Sequence, residues 1–152
     1  MKKSITIALL CLGIIAVGRV LMFVNTLLAT GMISIQFFIP TILVVLGFIG
    51  IIKGYRIAWQ WGRMLGLLGA ILFSFIAIVS IFQIGERPYM LLTSIVSAIQ
   101  AALLFVMYFA LGTTDSREHF NVLCSECGKS KVKAGDFLFS KVICHKCSKE
   151  WF

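Results

Sequence analysis

The sequence predicts a mainly α membrane protein, a bundle of four transmembrane helices followed by a small C-terminal β module. Three observations carry this expectation. Hydrophobic residues fill 60% of the 152 positions and charged residues only 13%, against about a quarter charged in ordinary soluble domains. Four apolar stretches recur, each with about the 20 residues that a helix needs to cross ~30 Å of hydrocarbon. Past Leu111 the chain turns abruptly polar and carries four of the five cysteines, in two close pairs. This composition excludes a soluble domain, a disordered tail and a secreted disulfide scaffold.

The four expected spans are residues 5–24, 33–52, 64–84 and 90–111. Gly31 marks the first gap, Lys53, Gly54, Tyr55 and Arg56 open the second, and Gly85, Glu86, Arg87 and Pro88 form the third. Residues 1–113 are expected to form the membrane domain and 114–152 a separate domain, joined by a short polar linker at 114–119. Lys2, Lys3, Lys53, Arg56, Arg63 and Arg117 fall on one side of such a bundle and only Arg87 on the other. The positive-inside rule then makes the crowded side cytoplasmic, with both termini there, in a plasma or inner membrane. A competing reading treats the first span as a signal peptide, since Lys2 and Lys3 precede an apolar run and Ala16, Val17 and Gly18 imitate a cleavage site. Apolar residues continue past that site to Ala29, which favours a retained span, and Cys11 within it reads as an inert buried thiol.

Arg19 is the one charged residue well inside a span. Two readings stand open for it: snorkelling or carbonyl pairing, or a pathway residue that pairs with Glu86. Asn25, Gln36, Gln83 and Gln100 are available for hydrogen bonds, while no span holds a carboxylate, which argues against a proton- or cation-coupled carrier. Small residues recur four apart at Gly62, Gly66, Ala70 and Ser74, and again at Thr93, Ser97 and Ala101. Such ladders let helices approach closely, either within one chain, the favoured reading, or between the chains of a homo-oligomer. In the second gap Tyr55, Trp59 and Trp61 alternate with Lys53, Arg56 and Arg63, which suits a helix lying at the headgroup level.

Cys124, Cys127, Cys144 and Cys147 form two C-x2-C pairs sixteen residues apart. Two residues between ligands let both thiolates of a tight turn face one ion, and two such turns complete a tetrahedron. Gly128 follows the first pair, where a positive φ is commonly needed. Between the pairs, residues 129–133 and 137–143 suit two antiparallel strands around a turn at Ala134, Gly135 and Asp136, with 120–123 and 149–152 as edge strands. The segment 120–152 resembles a zinc ribbon, with the four cysteines in its ligand positions. It departs from that pattern at Ser148, where glycine is more usual, so that turn is expected to be strained or differently shaped. The resemblance implies a structural Zn²⁺ and a fold but no single function. Rubredoxin-like iron binding and two disulfides are the weaker alternatives for the same thiols. His145 is expected to face solvent, and His119 has no evident partner.

From Asp115 onward seven basic residues face five acidic ones, a net +2, and a Zn²⁺ held by four thiolates contributes a formal −2. The lysines therefore offset the metal centre rather than build a nucleic-acid surface. No nucleophile–base pair, phosphate-binding loop or paired carboxylate appears, so an enzyme is not expected. The expected function is a membrane adaptor or scaffold whose ribbon meets a cytoplasmic protein partner. The alternative is a small oligomeric channel or transporter that uses the ribbon for assembly or gating, and a thiol-based sensor is a third, weaker reading.

Overall fold

The computed structural model describes residues 2–31, 38–85, 87, 89–128, 132–134 and 141–151. The helices among them are α1 (Lys3–Thr30), α2 (Phe38–Ile52), α3 (Arg56–Phe82), α4 (Met90–Gly112) and α5 (Thr114–His119). The strands are β1 (Val132–Ala134), β2 (Val142–Cys144) and β3 (Glu150–Trp151). Three helices, α1, α3 and α4, are long and apolar enough to cross a membrane. α2 has 15 residues, or roughly 22 Å of helix, shorter than a full span. Residues 33–37 of the expected second span lie outside the described residues, so the described helices with the length and apolarity of a span number three.

α1 ends on Gly31, whose φ of 66° places it in the left-handed region while its N–H returns to the Leu27 carbonyl at 2.8 Å. Apolar side chains such as Leu10, Leu68, Phe75 and Phe109 stand on the outside of the helices, as expected where hydrocarbon is the solvent. α3 packs most extensively on α4, and α1 covers another side of α4. Two glycines of the first small-residue ladder lie in this seam. A side chain at Gly66 would meet Met107 Cε at 3.2 Å and one at Gly62 would meet Leu111 Cδ1 at 3.2 Å, while Ser94 Oγ donates across the seam to the Ala77 carbonyl at 3.0 Å. α2 and α3 approach as closely: a Cβ at Gly50 would lie 2.5 Å from Ala58 Cβ. A methyl group on helical backbone cannot swing away, so Gly50→Ala is expected to force α2 from α3 and to lower stability by about 1–3 kcal/mol. Thermal denaturation of the purified variant against wild type checks this.

The turn between α2 and α3 differs from the expected surface helix. α3 already begins at Arg56, so residues 56–63 are its first two turns. Trp59 is only 8% exposed and donates its indole N–H to the Leu111 carbonyl at 2.7 Å. It is an anchor between α3 and α4 rather than part of an interfacial belt. Arg63 stacks on both Trp59 and Tyr108, with centroid distances of 5.4 and 4.9 Å.

Residues 114–119, expected as a polar linker, form α5. Thr113 caps it by accepting from the Ser116 N–H at 3.3 Å, with Asp115 in the first turn and Arg117 and His119 in the last, the charge order that a helix dipole favours. Asn121, at φ 52°, closes its end, and the Val122 N–H returns to the Arg117 carbonyl at 2.9 Å, a Schellman closure. Residues 120–123 are therefore a helix terminus and not the expected edge strand. His119, far from lacking a partner, donates Nε2–H to the Ile51 carbonyl at 2.9 Å. Its backbone sits against Gly54, where φ is 70° and a Cβ would meet the His119 carbonyl oxygen at 3.1 Å. Lys2 pairs with Glu118, which brings the start of α1 to α5. The ends of α2 and α4 and the starts of α1 and α3 thus gather at one end of the bundle.

The strands form one sheet in the order β1-β2-β3, antiparallel throughout, with Val132 opposite Cys144 and Val142 opposite Trp151. Phe120, Val122 and Val142 are fully buried and belong to the same apolar cluster as Ile5, Ala8, Trp59 and Leu111 of the helices. One core therefore runs from the bundle into the sheet.

Candidate metal centre

Each cysteine pair sits in a tight turn of the same shape. The Gly128 N–H bonds back to the Cys124 carbonyl at 2.9 Å and the Ser148 N–H to the Cys144 carbonyl at 3.0 Å. Both closing residues are left-handed, Gly128 at φ 59° and Ser148 at φ 56°. Ser148 is thus a strained member of a matched pair, not a differently shaped turn, because a side chain in this region meets the neighbouring carbonyl. Ser148→Gly is expected to stabilise the loaded module by about 0.5–1 kcal/mol, read as a rise in its melting temperature.

The two turns face one another across β2. Cys124 Sγ lies 3.5 Å from Cys147 Sγ and Cys127 Sγ lies 3.5 Å from Cys144 Sγ, and all four sulfurs fall within 4.8 Å of one another. Thiolates bound at roughly 2.3 Å around a tetrahedral ion are about 3.8 Å apart. The four sulfurs fit such an ion. All four cysteines are free thiols, and Cys124 and Cys144 are buried while Cys147 is exposed. His145 is exposed, as expected, and stands outside the cluster.

Backbone N–H groups prepare the sulfurs for a cation. Those of Cys147 and Lys146 donate to Cys144 and hold its thiol down at about 6. Those of Cys127 and Glu126 lower Cys124. At Cys147 the Lys149 N–H favours the thiolate, but the Cys144 and Cys124 sulfurs beside it outweigh that and push the thiol up to about 12. Four negative sulfurs cannot crowd together without a positive ion among them, so metal entry must expel the Cys147 proton throughout the physiological range. Below about pH 6 Cys144 is protonated as well, and protons compete harder. Metal affinity is therefore expected to fall with pH and to fall more steeply below about 6, which chelator-competition titrations across that range would show. A pH-independent affinity would contradict it.

The lysines answer carboxylates as much as sulfur. Lys149 pairs with Glu126 at 2.6 Å and Lys141 with Glu150 at 2.5 Å, and Glu126 is the main cause of a raised Lys149 pKa, with Cys124 and Cys147 adding to it. Trp151 donates its indole N–H to the Asn121 carbonyl at 3.0 Å, fastening β3 to the end of α5.

Arg19, the other residue singled out by sequence, stacks over Phe73 of α3 at 4.7 Å from the ring centroid. Glu86, its expected partner, and Gln36 lie outside the described residues. The residues that reading by sequence missed are His119 and Asn121; the Thr113 cap and the acid-to-base order of 115–119 were the available signal for the helix that carries them. No family model, curated protein or solved structure matches this chain.

Proposed function

We propose that the chain is a non-enzymatic integral membrane adaptor or scaffold that presents a zinc ribbon to a cytoplasmic protein partner. In this reading the apolar stretch 33–52 supplies a fourth span, residues 1–113 form the membrane domain, and residues 114–152 form the ribbon around a structural Zn²⁺ held by Cys124, Cys127, Cys144 and Cys147. The observation that carries it is the closed set of sulfurs. Four thiolates fill every position of a tetrahedral ion and leave none for water or substrate. The gathering of Lys2, Lys53, Arg56, Arg63 and Arg117 at the α5 end supports a cytoplasmic placement of both termini.

The outward turn at His145 and Lys146 is exposed and is the place to test docking. A photo-crosslinker at position 145, used in native membranes, is expected to trap a protein, and the adduct is expected to vanish when Cys144→Ser removes the metal. Persistence of the same adduct without the metal site, or no protein adduct, defeats the reading.

A further inference from the structure

Two polar side chains inside the bundle, and the aromatic ring beneath one of them, share one depth. Arg19 stands eleven residues before the end of α1, Phe73 beneath it nine before the end of α3, and Gln100 ten after the start of α4. At 1.5 Å per residue all lie roughly 13–17 Å from the end of the bundle opposite α5, close to the middle of a ~30 Å hydrocarbon layer. The Arg19 guanidinium lies over the Phe73 ring at this depth.

Gln100 is 1% exposed and Ser97, one turn earlier on the same helix, is fully buried. Neither amide atom of Gln100, nor Ser97 Oγ, nor Arg19 Nε has a hydrogen-bond partner among the described residues. The Gln100 amide is turned onto α1, where Gly18 makes room for it: a Cβ at 18 would lie 2.8 Å from Gln100 Nε2. Arg19 is the next residue. Buried polar atoms in hydrocarbon require partners, and an aromatic face offsets only part of the cost of a charge at this depth.

We propose that Arg19, Gln100 and Ser97, at the junction of α1, α3 and α4, bind a small halide-sized anion within the membrane. The chemistry is that of the donor set. Guanidinium, carboxamide and hydroxyl offer N–H and O–H groups, and the charge to be answered is positive. The sequence places no Asp or Glu between Met1 and Gly85 or between Arg87 and Thr114, so no span supplies a carboxylate. The close approach of α1 to α4 at Gly18 favours a small ion over a bulky one. The site stands independently of docking at the ribbon.

The test uses the full chain in nanodiscs of zwitterionic phosphatidylcholine, with chloride as the probe. Chloride-35 NMR lines are expected to broaden in the presence of protein and to sharpen when nitrate competes. Chloride is also expected to raise the melting temperature relative to gluconate at equal ionic strength. Arg19→Gln is expected to abolish both effects, Arg19→Lys to retain part of them, and Gly18→Ala, which pushes the amide aside but keeps the charge, to weaken them. Absence of broadening with wild-type protein overturns the proposal whatever the variants do. So does broadening unchanged in Arg19→Gln. Stabilisation by anionic phosphatidylglycerol without any chloride response assigns the counter-charge to a lipid phosphate and also overturns it. If chloride binds only in Glu86→Gln, the chain answers Arg19 itself and the proposal fails.

Discussion

Cys144→Ser is expected to abolish metal binding and to unfold the sheet while α3 and α4 persist. Serine carries no anion at neutral pH, so the substitution removes the ligand that the backbone N–H groups of Cys147 and Lys146 hold most ready for a cation. A structural zinc contributes an apparent ~10–16 kcal/mol to small modules of this kind. The sheet is small, and among its strand side chains of described burial Val142 is the one fully buried apolar residue apart from Cys144. Hydrogen exchange reads the outcome: the β2 amides should lose protection by several orders of magnitude, and chelation of wild-type protein should reproduce the effect. Unchanged β2 protection after either treatment would show that packing alone holds the sheet and that the metal is dispensable.

Phe120→Ala is the second large effect. The ring is fully buried, stacks edge-on against His119 at 5.0 Å between centroids, and belongs to the cluster shared by helices and sheet. Emptying such a site costs about 3–5 kcal/mol. Because the cluster is continuous, the loss should appear on both sides of the junction, as a lower melting temperature of the helices and as weaker metal binding. Each ~1.4 kcal/mol that falls on the loaded sheet reduces apparent affinity about tenfold. A variant whose helices melt as wild type while only the metal site weakens would mean that the two halves are energetically separate.

What the sequence disclosed and what it hid divide along a physical line. Spans and metal ligands are local signals: a long apolar run needs no knowledge of its neighbours, and a C-x2-C turn folds by its own hydrogen bonds. The expected span 64–84 nevertheless begins eight residues inside α3, because Trp59 and Arg63 look like membrane-surface residues until α4 supplies the Leu111 carbonyl and the Tyr108 ring. α5 was hidden for a similar reason. Its six residues carry no apolar stripe, and the bond that seats it joins His119 to Ile51, 68 positions away. Ser148 shows the limit of a residue rule: its left-handed turn is imposed by the matched pairing of the two knuckles, at the cost of strain that glycine would avoid.

The clasp at the base of the bundle has a consequence for recognition. Lys2 at the start of α1 and the Ile51 carbonyl at the end of α2 hold α5, while the buried Phe120 and the bond from Trp151 to the Asn121 carbonyl tie the sheet to its end. A lobe on a loose tether would tumble, and any protein that gripped it would have to freeze that tumbling. Held in this way, the lobe has already given up its rotational freedom before an encounter, so the same contact area would yield tighter association and a single bearing relative to the bilayer.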